Sequence, residues 1–285
     1  MNLKQRKMSD SNSQEKKIID IDRVFKSKNP KLYKYFPKFL LSILKRIVRQ
    51  EGINDFIARN KHKQGLDFAE AIADEFSHSY HSVGIDKVPE GRRYIFASNH
   101  PLGGLDGMIF LTEVGKKFPK VLFPVNDILL NIENLKDYFV PINKHGSQGR
   151  EAARKLEEAY ASDSQILMFP AGLVSRKING KITDLEWKRN FVKKAIQHKR
   201  DIVPVFVTGQ NSNFFYNFAN LRKKLGIKVN IEMLFLPGEL FKSKNLDVTI
   251  IFGKPVTWEE LNNGEKPDVW AQKIKELTYN LSKNN

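Results

Sequence analysis

Apolar residues are distributed along this chain in two regimes. Across residues 30–58 they recur at helical spacing: Phe36, Phe39, Leu40, Ile43, Leu44, Ile47 and Val48 share one stripe, while Lys34, Lys38, Lys45 and Arg49 fall largely on the other side. Pro30 and Pro37 mark early bends, and a second helical stretch follows over 66–76. Further on, the period changes to short apolar runs at 94–97, 121–125, 138–142, 165–169, 202–207, 229–235 and 248–252, which read as strands. Helix-length segments at 105–117, 147–161 and 186–199 lie between them, and a last helix is expected over 268–281. This alternation predicts an α/β fold, a mixed and largely parallel sheet flanked by helices.

No repeat or low-complexity linker divides the sheet-forming part, so one boundary is expected, near 58–85. It separates a mobile basic tail (1–17) and a basic, amphipathic helical region (18–84) from a sheet-based domain (85–285).

Charge sharpens that division. Of a net charge of +16 over 285 residues, the first fifty carry 14 Lys or Arg against the four acids Asp10, Glu15, Asp20 and Asp22. A basic amphipathic helix suits an anionic membrane surface, although the same helix can instead cover a protein core. Nucleic acid is a weaker fit, because the aromatics occupy the apolar stripe instead of interleaving with the cations. No apolar run reaches the roughly 18 residues of a spanning helix, and the first residues do not lead into a signal-peptide core, so an integral, secreted or lytic protein is not expected. The lack of cysteine excludes disulfides, thiolate nucleophiles and zinc sites built on sulfur, and fits a cytoplasmic setting.

The most informative chemistry lies at 94–108. An apolar strand runs into Asn99-His100-Pro101, then Gly103-Gly104, and Asp106 follows as a helix begins. Ligand-binding groups gather at the carboxyl ends of strands in open α/β sheets. The glycines permit a turn tight enough for Asp106 to reach the imidazole, orient it and support it as a general base. Read structurally instead, Asp106 caps the helix and His100 is a hydrogen-bonded core residue. A second strand, at 165–169, ends in Pro170-Ala171-Gly172 and leads to Ser175, Arg176 and Lys177, a hydroxyl and two cations suited to a phosphate or carboxylate.

Together, Asn99-His100-Pro101-Leu102-Gly103-Gly104-Leu105-Asp106-Gly107 and Phe169-Pro170-Ala171-Gly172-Leu173-Val174-Ser175-Arg176 resemble the paired motifs of the glycerolipid acyltransferase superfamily. The likeness is closest to the bacterial branch that carries a hemolysin label and includes O-acyltransferases of ornithine- and glycine-lipid synthesis. It spans about residues 85–255, with 138–146 and 202–209 at the positions of weaker family blocks.

The resemblance implies a glycerol-phosphate acyltransferase-like fold and transfer of a fatty acyl group from acyl carrier protein or acyl-CoA to the hydroxyl of a lyso-lipid. It implies His100 as base and Asp106 as its partner, with no cofactor or metal. Asn99, Gly103, Gly104, Lys144, Ala171, Gly172, Ser175, Arg176 and Lys177 would contact substrate, Arg176 being the favoured anion ligand. Three departures stand out: five residues, not four, separate His100 from Asp106; Ala171 replaces a glutamate; and Asn143-Lys144 stands where an arginine is usual. The last two argue against a glycerol-phosphate acceptor and favour a lyso-amino-acid lipid, with lysophosphatidate as the alternative. The enzyme would work at the cytoplasmic face of the bacterial inner membrane. A chain retaining the fold without catalysis, as a lipid-binding protein, is the remaining possibility.

Overall fold

The computed structural model describes residues 19–126, 129–142 and 147–283; the expected tail over 1–17 and Lys144 lie outside them. The described residues fall into two compact units, divided between His62 and Lys63.

Helices α1 (Ile21–Lys28), α2 (Pro30–Tyr35), α3 (Lys38–Ile47) and α4 (Gln50–Arg59) build the first unit. The helical stretch expected over 30–58, with bends at Pro30 and Pro37, is divided among α2, α3 and α4; Pro30 opens α2, and Pro37 stands at the N-cap of α3, where a missing N–H costs nothing. Polar side chains tie its ends together: Asn54 exchanges two hydrogen bonds with the main chain of Ile19, and Gln50 accepts from Ile21 N at 2.9 Å. Lys45 pairs with Asp22, which also accepts from the Tyr33 hydroxyl. The hydrogen bond from Lys45 is the main reason the Asp22 carboxyl is held below its ordinary pKa. Phe39 and Ile43 of the apolar stripe remain 66% and 50% exposed.

In the second unit, α5 (Gly65–Phe76) precedes strands β1 (Ser79–Val83) and β2 (Tyr94–Ser98), α6 (Leu105–Lys117), β3 (Val121–Val125), β4 (Phe139–Pro141), α7 (Ser147–Ala161) and β5 (Gln165–Met168). A hairpin, β6 (Arg176–Ile178) and β7 (Lys181–Thr183), leads to α8 (Asn190–His198) and β8 (Asp201–Val207). After α9 (Asn213–Lys224) and α10 (Leu236–Lys242) come β9 (Asp247–Phe252), α11 (Trp258–Leu261) and α12 (Pro267–Leu281). Among the described residues seven strands form one sheet in the order β1-β9-β8-β2-β5-β3-β4, parallel except where β9 meets β8.

Every residue of β2 is buried, as a central strand covered on both faces must be. Its alternation divides the core. Ile95 and Ala97 face a layer that holds Phe191 and Val192 of α8 and Ile274 of α12. Tyr94 and Phe96 point the other way, meeting Phe118 edge-on or tilted at 5.6–6.0 Å. There α6 is pressed close to α5 at Gly115, where a Cβ would sit 2.4 Å from Leu66.

One expected strand is absent. Residues 229–235 form a loop and a 3₁₀ turn leading into α10, not a strand. Several elements of this unit went unforeseen: β1, whose Ser-Tyr-His-Ser-Val sequence is mostly polar, the β6–β7 hairpin, and the helices α9, α10 and α11. β1 pairs with β9, which places residues 79–83 in the sheet, ahead of the 85 boundary expected for the domain.

Candidate active site

β2 and β5 are parallel neighbours in the register Ile95↔Ile166, Phe96↔Leu167, Ala97↔Met168. Their carboxyl ends therefore lie side by side, and the segments starting at Asn99 and Phe169 emerge at one edge. Asn99 seals the other flank of β2: its side chain donates to Val207 O (2.9 Å) and accepts from Val207 N (2.7 Å), continuing the β2–β8 ladder past Ser98.

His100 comes next, with 15% of its side chain exposed. Its Nδ1 lies 2.9 Å from Asp106 Oδ2, so the loop does fold back across the five intervening residues. Two features permit this. Gly103 adopts φ +83, and a Cβ there would lie 2.8 Å from the Leu236 side chain, so any other residue would strain the backbone and have to displace Leu236. The main-chain amides of Leu102 (2.9 Å) and Gly103 (3.3 Å) also donate to Asp106 Oδ2, while Gly107 N donates to Oδ1.

Asp106 is fully buried, and burial alone would favour its neutral form. The charge of His100 and the hydrogen bonds from His100, Leu102 and Gly103 outweigh that and hold the carboxyl below its ordinary value. An ionised carboxylate only accepts, so Nδ1 must carry the ring proton, leaving the Nε2 lone pair to act as a base. Among the described residues Nε2 has no hydrogen-bond partner. The ring also stacks on Phe169, with centroids 3.7 Å apart and planes at 14°.

Residues 23–284 match the family model described as "Acyltransferase". The chain belongs to this acyltransferase family. Over 265 residues it is 46% identical to a protein of Bacteroides thetaiotaomicron named lyso-glycine lipid O-acyltransferase, covering 93% of this chain and 97% of that one. A protein of the same name from Phocaeicola vulgatus is 44% identical over 265 residues, covering 93% and 95%. Among solved structures, the 1-acyl-sn-glycerophosphate acyltransferase PlsC of Thermotoga maritima aligns with a TM-score of 0.49 at 17% identity, over 91% of this chain and 97% of that one.

In this acyltransferase the remaining residues singled out in the sequence occupy different environments. Gly104 is the exposed N-cap of α6, Ala171 is buried, and Gly172 is exposed with φ +68. Lys177 is half-buried, with Nζ 3.4 Å from Asn213 Oδ1. Arg176 turns inward: it pairs with the fully buried Glu232 at 2.8 Å, and Arg222 approaches the other oxygen of that carboxylate at 2.8 Å. Arg176 also donates to Val174 O, and its guanidinium lies over the Phe215 ring. The protein's own carboxylate therefore occupies the group expected to hold a substrate anion. Lys188 lies beside the second motif instead, with Nζ 3.5 Å from the position of a Cβ on Gly172.

Asp184 is the residue that the sequence reading missed. It is buried, and its Oδ1 accepts from His100 N (3.2 Å) and from the Ser175 hydroxyl (2.5 Å), while Oδ2 accepts from Trp187 Nε1 (2.9 Å). Its own amide donates to the Tyr279 hydroxyl at 2.7 Å. Tyr279 is pushed up to about 12 by burial and then by the Asp184 charge, so it stays a neutral phenol. One carboxylate thus links the His100 main chain, the second motif and α12. A lone aspartate in a short Thr-Asp-Leu segment gives no sequence signal for this.

Proposed function

We propose that this acyltransferase esterifies the hydroxyl of a lyso-glycine lipid, with His100 as general base. The single observation that carries this reading is the His100–Asp106 pair, 2.9 Å apart at the carboxyl end of β2, with Nε2 left unengaged among the described residues. In the proposed reaction Nε2 takes the proton of the acceptor hydroxyl as its oxygen attacks the thioester carbonyl. The tetrahedral adduct collapses, the carbon–sulfur bond breaks, and the imidazolium returns its proton to the leaving thiolate. Base assistance of this kind contributes about 10²–10⁴ in rate. Asp106 holds the tautomer and offsets the developing positive charge. The donor is acyl carrier protein or acyl-CoA.

The lyso-glycine acceptor is supported by the names of the two bacterial relatives, and by a second motif in which alanine replaces glutamate while Arg176 is engaged by Glu232. Lys188 beside Gly172 is the better candidate for an anionic group of donor or acceptor. No helix among the described residues is long and apolar enough to cross a membrane. We assign the enzyme to the periphery of the bacterial inner membrane, on the cytoplasmic side where thioester carriers reside. The exposed Phe39 and Ile43 of α3, among the cations of the first unit, supply one contact.

The test is transfer of labelled acyl groups from acyl carrier protein and from CoA to lyso-glycine lipid, lyso-ornithine lipid and lysophosphatidate, by the native chain and by His100→Ala. Product from lyso-glycine lipid with the native chain alone is expected. Product from lysophosphatidate alone would reassign the acceptor, and undiminished transfer by His100→Ala would remove the base role.

A further inference from the structure

Within the second unit, α9 and the segment after it carry a concentration of exposed large apolar side chains. Phe214, Leu221, Leu225 and Val229 are 50%, 53%, 66% and 70% exposed, and Ile227 and Leu234 continue the surface. The first three, with Phe218 between them, recur at spacings of four, three and four residues, so they share one stripe of the helix. Phe214, Phe218 and Phe235 pack with ring centroids 5.1–5.9 Å apart, which makes the patch continuous at that end.

The loop beyond the helix is held, not loose. Arg222 donates to Ile227 O and to Asn230 Oδ1, so its side chain fixes the turn that presents Ile227 and Val229. The charge of this region is one-sided: residues 202–231 contain no Asp or Glu, and Lys223, Lys224 and Lys228 are exposed beside the apolar stripe.

We infer that this face inserts shallowly into an anionic bilayer and gives the catalytic unit a membrane contact of its own, separate from the basic helices of the first unit. Exposed large apolar residues ringed by lysines suit an interface where rings and branched chains enter the acyl boundary and ammonium groups reach the headgroups. A second copy of the chain is a poorer occupant, because two acid-free basic faces would repel.

The patch also adjoins the site. Phe215 and Tyr216, on the inner side of α9, pack with Val174, and Leu236 contacts the position of a Cβ on Gly103. Asn211, just before the helix, donates to Pro101 O at 3.1 Å. The inference rests on the lipid-acceptor reading: an enzyme whose acceptor keeps its chain in the bilayer needs its site held near that surface, and the inner side of the helix that carries this face packs against the second motif.

Because the chain has no cysteine, a single one can report position. In the full chain, Val229→Cys would be labelled with an environment-sensitive dye. Asn262→Cys would serve as control, since it follows α11, which is held to Asp201 at the amino end of β8, whereas α9 follows the carboxyl end of that strand. On vesicles of phosphatidylcholine and phosphatidylglycerol, the dye at Val229 should shift to the blue and resist an aqueous quencher, while the dye at Asn262 should not.

Lys223→Gln, Lys224→Gln and Lys228→Gln together should weaken vesicle binding at low salt on the order of tenfold to a hundredfold. They should leave acyl transfer to detergent-dispersed acceptor unchanged. A silent dye at Val229 on vesicle-bound protein would overturn the inference, as would a response to acyl carrier protein or to single-stranded RNA in place of vesicles. Insertion at Val229 without acylation of any lipid acceptor would sink the acceptor reading and leave the surface standing.

Discussion

The imidazole of His100 lies flat against the ring of Phe169, 3.7 Å away, and Phe169 is itself wedged by Phe110 at 6.0 Å and Phe123 at 5.5 Å. The second motif thus reaches the first through ring contact as well as through Asp184. Asp106 fixes one edge of the imidazole and Phe169 fixes its plane. Phe169→Leu keeps an apolar wall but removes the flat support, and kcat should fall about tenfold while KM for the acyl donor changes little, because a misdirected base weakens the reacting geometry more than ground-state binding. Steady-state kinetics on both substrates would check this; a pure KM effect would show that the ring serves substrate binding.

Asp106 should dominate the acid limb of stability. Its carboxyl is held below the ordinary value of 3.8. The stabilisation it brings is therefore present above that value and is lost as the pH falls through the lower folded-state value. Thermal melts from about pH 6 to about pH 3 should show the native chain losing stability more steeply than Asp106→Asn, with the two curves converging at the acid end. Parallel curves would mean that the carboxylate contributes nothing net.

Gly103→Ala meets two obstacles, the positive φ and Leu236 at 2.8 Å. A destabilisation of about 1–3 kcal/mol is expected from a strained left-handed residue with overpacking. Adding Leu236→Ala should relieve the clash but not the backbone strain, so the double variant should recover less than the full loss beyond the cost of Leu236→Ala itself. A double-mutant cycle by denaturant unfolding measures the coupling.

Arg176→Ala leaves the buried Glu232 with Arg222 as its remaining ion-pair partner, and breaking a buried pair typically costs about 3–5 kcal/mol. The expected signature is a lowered melting temperature with KM for both substrates near native among molecules still folded. A selective rise in KM at unchanged stability would return Arg176 to the role of anion ligand.

Much of the fold was legible because burial writes a strong pattern. Residues 94–97 and 202–207 are unbroken apolar runs, and they became the central strands β2 and β8. The apolar run at 229–235 misled for a physical reason: Val229 and Leu234 are apolar yet exposed, and an interfacial surface has the same composition as a core strand. β1 was silent because an edge strand with solvent on one side can be mostly polar.

The pairing of His100 with Asp106 followed from the glycines between them. The inward turn of Arg176 did not, because its partner Glu232 lies 56 residues away and no local pattern announces it. Asp184 escaped for the same reason, being 84 residues from the amide it receives.

That last contact gives the amide proton of His100 a particular value. It points to a buried carboxylate oxygen that also receives the Ser175 hydroxyl, so parting of the segments after β2 and β5 would free it to exchange. Its hydrogen-exchange rate is thus a built-in gauge of how often the enzyme's two halves of chemistry come undone, readable in the resting protein with no substrate present.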